Sequence, residues 1–226
     1  ATVGDEGAAI NLWWTEAERE GVLPLDDRGL ELMSIRFAEH SPHPIDRVYR
    51  YRPPMSPLPA QASPAIGGRS WDMDARVTMN TGDGGVLYAT GTENSGLSLF
   101  VDRDRLVFDY NIFGEHHVVE SSKTIGAGDH VLSVRFRRQA KTGTATLTID
   151  GVDVGSLDVP FVMRTMSSVG PSIAYDHGSP VALAYAERRD GYPFSGRLRE
   201  LVISIISRQH DADAAASEAR MTRGRQ

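Results

Sequence analysis

The chain has 226 residues, a formal net charge of −6 and no cysteine. Disulfides, thiolate metal sites and cysteine nucleophiles are therefore excluded, and any metal site would need His and carboxylates. There is no long basic block, and no apolar run approaches the roughly 20 residues of a membrane helix, so neither nucleic acid nor a bilayer is an expected partner.

Residues 1–7 lack the basic and apolar blocks of a signal peptide and carry no initiator methionine. The chain is accordingly expected to be cut from something longer, soluble, with a cytoplasmic location favoured. Ile10, Trp13, Trp14 and Ala17 recur at the spacing of one helical face, with Asn11 as a candidate cap and Gly21 as a stop. Two adjacent tryptophans are more apolar surface than so short a helix can hide, so Trp13 and Trp14 are expected to dock on another surface. Residues 41–68 are rich in proline and read as a connector, with one extended strand around Val48, Tyr49, Arg50 and Tyr51.

Beyond the connector the apolar period becomes two. Trp71, Met73, Ala75, Val77 and Met79 alternate with Asp72, Asp74, Arg76 and Thr78, the pattern of a half-buried strand. Further strands are expected over residues 86–90, at Leu97, Leu99 and Val101, and at Leu106, Phe108 and Tyr110, the last two runs joined by a hairpin at Asp102-Arg103-Asp104-Arg105. Residues 118–124 predict another. Leu132, Val134 and Phe136 alternate with arginines on a wet face, and Ala145, Leu147 and Ile149 lead through a tight Asp150-Gly151 turn to Val152 and Val154. After a less regular stretch, Leu201, Ile203 and Ile205 mark a last, deeply buried strand, and residues 207–226 are expected to be a flexible tail. Many short strands with Gly- and Asp-rich turns and no helix between them indicate an antiparallel all-β sandwich over residues 69–206, in preference to a closed barrel.

Residues that could carry chemistry are sparse. Adjacent His116 and His117 would point to opposite faces of a strand and could not chelate one metal together. Asp176 and His177 could form a polar cluster in a loop rich in turn formers. Asp72 with Asp74, and Asp102 with Asp104, read as solvated carboxylates more readily than as an acid–base pair. Trp71, Tyr88, Tyr110 and Phe113 are candidates for a sugar-stacking face, although core packing explains Trp71 equally well. Arg135, Arg137, Arg138 and Lys141 form a candidate basic patch for sulfated or carboxylated polymers. The binding residues expected from the sequence are thus Trp71, Tyr110, His116, Arg135, Asp176 and His177, with no catalytic and no metal-binding residue.

One family is resembled along much of the chain. Residues 11–28, Asn-Leu-Trp-Trp-Thr-Glu-Ala-Glu-Arg-Glu-Gly-Val-Leu-Pro-Leu-Asp-Asp-Arg, resemble the passage that follows the catalytic core in long bacterial arylsulfatases. The likeness continues through a Pro-rich connector like residues 51–64, a Gly-Arg-Ser start like residues 68–70, and an ending like residues 176–181 and 192–203. It implies that residues 1–40 are the tail of a sulfatase catalytic domain and that the sandwich is a concanavalin-like jelly roll. His130-Val131-Leu132 and Ile149-Asp150-Gly151 similarly resemble laminin-G and lectin-like sandwiches, the same broad fold.

Such an enzyme would use a formylglycine, made from Cys/Ser-x-Pro-x-Arg, beside calcium. That motif is missing here: cysteine is absent, and no proline has a serine two residues before it. The resemblance therefore implies an accessory region, without a cofactor of its own, that supports a partner catalytic domain or borders its substrate entrance. Two alternatives remain: a carbohydrate-binding module for a sulfated or acidic glycan, and a protein-interaction domain that assembles oligomers.

Overall fold

The computed structural model describes residues 11–16, 19, 47–60, 63–64, 66–163, 169–188 and 190–206. The chain divides into two compact units, Ala1–Pro44 and Ile45–Gln226. In the first, residues 11–16 and 19 are helical, as the tryptophan spacing predicts. Asn11 lies within the helix, its carbonyl accepting from Thr15 Oγ1 at 2.9 Å, instead of capping it from outside. Ile10, Ala17 and Gly21, like the tail from residue 207, fall outside the described residues.

The second unit is a sandwich of two antiparallel sheets. Its strands are β1 (Val48–Tyr51), β2 (Trp71–Met79), β3 (Gly85–Thr92), β4 (Ser95–Asp102), β5 (Arg105–Ile112), β6 (Glu115–Glu120), β7 (Gly128–Gln139), β8 (Thr142–Ile149), β9 (Val152–Val159), β10 (Ser172–Ile173) and β11 (Arg197–Ile205). The larger sheet runs β1-β11-β2-β7-β8-β9 and the smaller β10-β3-β4-β5-β6. The extended strand expected inside the connector is β1, which pairs with β11 at the edge of the larger sheet. Sequence-distant β11 thus comes to lie between β1 and β2, which explains its apolar run.

The turns form for local reasons. Arg103 and Asp104 both take positive φ, as do Asp150 and Gly151, and this twist matches the right-handed twist of the flanking strands. The strand expected over residues 118–124 is displaced and runs from Glu115 to Glu120. Ser121 ends it: its Oγ accepts from the Leu106 N–H and donates to the Lys123 carbonyl, pulling the chain out of the ladder.

Burial follows the period of two. Trp71, Met73, Ala75, Val77 and Met79 are all buried against Leu132, Val134, Phe136, Ala145 and Leu147 and the inner face of the smaller sheet. At the centre the Phe136 ring stacks between Trp71 at 5.2 Å and Tyr110 at 5.9 Å. The outer face of the larger sheet is charged. Arg135 Nη1 lies 2.7 Å from Asp74 Oδ1, Arg137 Nη1 lies 2.6 Å from Asp72 Oδ1, and Glu200 meets Arg50 and Arg52.

Candidate functional site

The smaller sheet is buried on both faces along β3, β4 and β5, which sets it apart from the larger one. Register aligns Ala89, Ser98, Asp109 and Val118 in one row across its outer face, and Gly91, Gly96, Asn111 and His116 in the next. These rows are small or polar where a lone apolar face would carry large side chains, so a covering segment can lie close. Residues 174–188 and 190–194 do so. Val181, Ala182, Tyr185 and Tyr192 pack on Val86, Ala89, Phe100 and Val107 as a second, smaller apolar cluster. A Cβ on Gly96 would stand 2.3 Å from the Thr90 carbonyl of the neighbouring strand and 3.0 Å from the Val181 side chain, so the approach of β3 requires glycine there and the covering segment adds to the crowding.

Buried polar groups fasten this segment. Asp176 Oδ2 accepts from the Val181 N–H and from the Tyr185 hydroxyl, both at 2.8 Å, and the Tyr185 hydroxyl also reaches Ser98 Oγ at 2.8 Å. Burial pushes the Asp176 carboxyl above the ordinary carboxylate range, with the Val181 and Tyr185 hydrogen bonds opposing it. The Tyr192 hydroxyl donates to the Val101 carbonyl and lies 3.1 Å from Asp102; burial and that carboxylate raise it to about 12. Asn111 is fully buried, and its Nδ2 donates to the carbonyls of Glu93 and Val181, tying two hairpins and the covering segment together at one end of the sheet.

That end carries the exposed groups. Phe113 sits at the tip of the β5–β6 hairpin with φ at 52° and is 78% exposed, its backbone fixed by its N–H to Ser95 Oγ and by the Gly114 N–H to Asn111 Oδ1. His116 lies opposite Asn111, and its Nδ1 is 2.9 Å from Asp109 Oδ2 and 3.0 Å from Oδ1. A carboxylate facing Nδ1 fixes the proton on that nitrogen, so Nε2 of the neutral ring is an acceptor. Among the described residues Nε2 has no partner. Burial raises the Asp109 carboxyl above its ordinary range, against the pull of His116 and of the Leu183 backbone N–H. Val118, opposite Asp109, and Leu183 are both largely exposed. Exposed Phe113, Val118 and Leu183 thus lie on or beside the β5–β6 hairpin, along with an imidazole that is 10% exposed.

The residues expected from sequence fare unevenly. Trp71 and Tyr110 are 1% and 0% exposed and belong to the inter-sheet core, as does Tyr88, so none of the three is a stacking platform. Of the four aromatics considered, Phe113 alone presents its ring outward. Arg135 and Arg137 are neutralised by Asp74 and Asp72, and Arg138 Nη1 donates to the Gly68 carbonyl, so the basic patch is a mixed-charge surface. Asp176 and His177 do lie near one another, but Asp176 is buried and fully engaged in holding the covering segment. His177 donates its backbone N–H to Ser172 Oγ. His116 and His117 do face differently: His117 Nε2 is 3.5 Å from Glu115 while His116 turns to Asp109. Asp109, which positions His116, is a carboxylate in the middle of a buried strand, and that anomaly was its readable signal. In the helical unit Trp13 and Trp14 are 48% and 51% exposed, their rings edge to face at 4.8 Å.

The chain is an antiparallel sandwich of the jelly-roll class, and known structures of that class resemble it. It superposes on the CBM40 of Ruminococcus gnavus IT-sialidase, bound to α2,3-sialyllactose, with a TM-score of 0.45 and 14% identity over 65% of this chain and 80% of that one. Streptococcus pneumoniae NanB sialidase gives 0.48 and 14% over 73% of this chain and 27% of that one. Mouse laminin α1 domains LG4-5 give 0.44 and 15%, over 72% and 39%. The likeness is one of fold alone. The sequence matches no protein-family model and no curated protein. Nothing in these comparisons links it to an arylsulfatase. Among the described residues no helix is long and apolar enough to cross a membrane, and no group of three His or acidic side chains could hold a metal ion.

Proposed function

We propose that this chain is an accessory β-sandwich that recognises a glycan at the corner formed by Phe113, His116, Val118 and Leu183. The observations that carry the reading are an exposed Phe113 at the tip of the β5–β6 hairpin and, on the same hairpin, His116 held by buried Asp109 with a tenth of its side chain exposed. A sugar presents an apolar C–H face edged by hydroxyls. Phe113 offers a surface for the first, and His116 Nε2 accepts a hydrogen bond from the second. Because Asn111 and Ser95 fix the hairpin tip, little ordering entropy is lost on binding. One ring and one ring nitrogen make a small contact, and the expected Kd per site is on the order of 1 mM, about −4 kcal/mol.

A glycan array displaying this chain multivalently tests the proposal. Binding that disappears in Phe113→Ala supports it. Silence on the array, or binding that Phe113→Ala leaves untouched, refutes it.

A second reading rests on a different observation. Trp13 and Trp14 stand about half exposed on a short helix, inside the stretch that resembles the passage after an arylsulfatase core. In that reading the two rings dock on a separate catalytic domain, which would contribute the formylglycine and calcium chemistry. Aryl sulfate hydrolysis by such a domain, measured with and without this chain, decides it: stimulation that Trp13→Ala with Trp14→Ala abolishes supports docking, and unchanged rates reject it.

A further inference from the structure

Three tyrosines on the inner side of the sandwich present a polar anomaly. Tyr49 and Tyr51 alternate inward on β1, their rings stacked at 6.5 Å with an interplanar angle of 18°, so their hydroxyls run side by side. Tyr88 comes from the other sheet. The register of β3 against β4 shifts between Val86 and Tyr88, and this bulge turns both Leu87 and Tyr88 towards the core. β9 meets β6 at one side of the sandwich, which leaves β1 and β10 as the edge strands of the other side, and the Tyr88 phenol feels both Tyr51 and Tyr49 electrostatically.

All three are buried, at 7%, 8% and 0% exposure. By strict hydrogen-bond geometry none of the three hydroxyls is paired among the described residues, the Thr90 side chain being a polar neighbour beside Tyr88. Phenylalanine would fill the same volume without stranding an oxygen. Buried polar groups in native proteins are nearly always paired, and three orphans of one chemical type beside one another indicate one shared partner.

We infer that Tyr49, Tyr51 and Tyr88 line one internal hydrogen-bonding site that holds ordered water bridging their three hydroxyls. A phenol both donates and accepts, so three of them supply the two to four polar contacts that a buried water requires. Ile66 belongs to the same core, and Met55 and Leu58 of the Pro-rich stretch pack on it, with the Leu58 N–H donating to the Pro171 carbonyl. The Arg47 guanidinium lies 4.7 Å over the Tyr49 ring at the outer end. Burial and mutual repulsion raise the Tyr51 and Tyr88 phenols far above neutrality, so both stay protonated and able to donate.

The test combines substitution with direct detection on the full chain. If water bridges the hydroxyls, Tyr88→Phe and Tyr51→Phe each lower Tm by roughly 2–4 °C, and the double variant loses less than the sum because both act on one network. Water–protein cross-relaxation in NMR should then show a long-lived water beside the tyrosine ring protons. A Tm that is unchanged or higher in either single variant overturns the inference, as do strictly additive losses or the absence of that cross-relaxation signal.

Discussion

Asp176→Ala removes the group on which the covering segment of the smaller sheet is hung. The Val181 N–H and the Tyr185 hydroxyl both lose an acceptor at 2.8 Å, and Tyr185 retains Ser98 while Val181 retains nothing equivalent. An orphaned buried N–H costs about 1–3 kcal/mol and a lost hydrogen bond with an alternative about 0.5–1.5, so destabilisation of about 2–4 kcal/mol is expected. In a chain of this size each kcal/mol lowers Tm by roughly 2–4 °C, which thermal and urea unfolding both resolve. Asp176→Asn separates charge from hydrogen bonding, since its amide oxygen still accepts from both donors. Burial raises the carboxyl in the folded state, so the folded protein binds this proton more readily than the unfolded chain does. Ionised Asp176 therefore costs stability at neutral pH, and that cost disappears as pH falls through the raised folded value towards the ordinary one near 4. Relative to wild type, Asp176→Asn should gain stability as pH rises through that window and hold the gain above it. A stability difference that does not vary with pH, or an Asp176→Ala as stable as wild type, would refute the reasoning.

Other expectations follow from the packing. Trp71→Ala empties the space between Phe136 and Phe108 and should cost about 3–5 kcal/mol in urea unfolding. Gly96→Ala brings a methyl group to 2.3 Å from the Thr90 carbonyl and should cost roughly 1–3 kcal/mol, while exposing the covering segment to limited proteolysis. Arg135→Ala breaks a one-third-exposed ion pair with Asp74 and should change stability by no more than about 1 kcal/mol, an effect diminished by salt.

How legible these features are in sequence depends on what covers each face. The larger sheet has one dry and one wet face, so β2 and β7 show a clean alternation, and the turns at Asp102–Arg105 and Asp150–Gly151 declare themselves through residues that tolerate positive φ. In β4 and β5 both faces are buried, the alternation vanishes, and an aromatic residue there cannot be assigned to the core or the surface by period alone. That is why Tyr88 on the equally buried β3 and Tyr110 on β5 looked as available as Phe113, whereas the alternation of β2 already allowed Trp71 to be read as core. The cover itself, residues 174–188 and 190–194, has little regular structure beyond one turn of 3-10 helix, so its path depends on distant partners such as Ser98 and Asn111. The basic patch failed for a related reason: cross-strand neighbours Asp72 and Asp74 are some sixty residues away in the chain and adjacent in the sheet. Polar residues inside otherwise apolar strands, Ser98, Asp109 and Asn111, were the signal that something lay over them.

The central claim is glycan recognition at the Phe113–His116 corner, and titration of the isotopically labelled chain with a panel of neutral, sialylated and sulfated oligosaccharides tests it most directly. The account predicts amide shifts that saturate for at least one glycan, concentrate in residues 111–118 and at Leu183, and vanish in Phe113→Ala. Shifts confined to any other surface, or no saturable shift with any member of the panel, would contradict it.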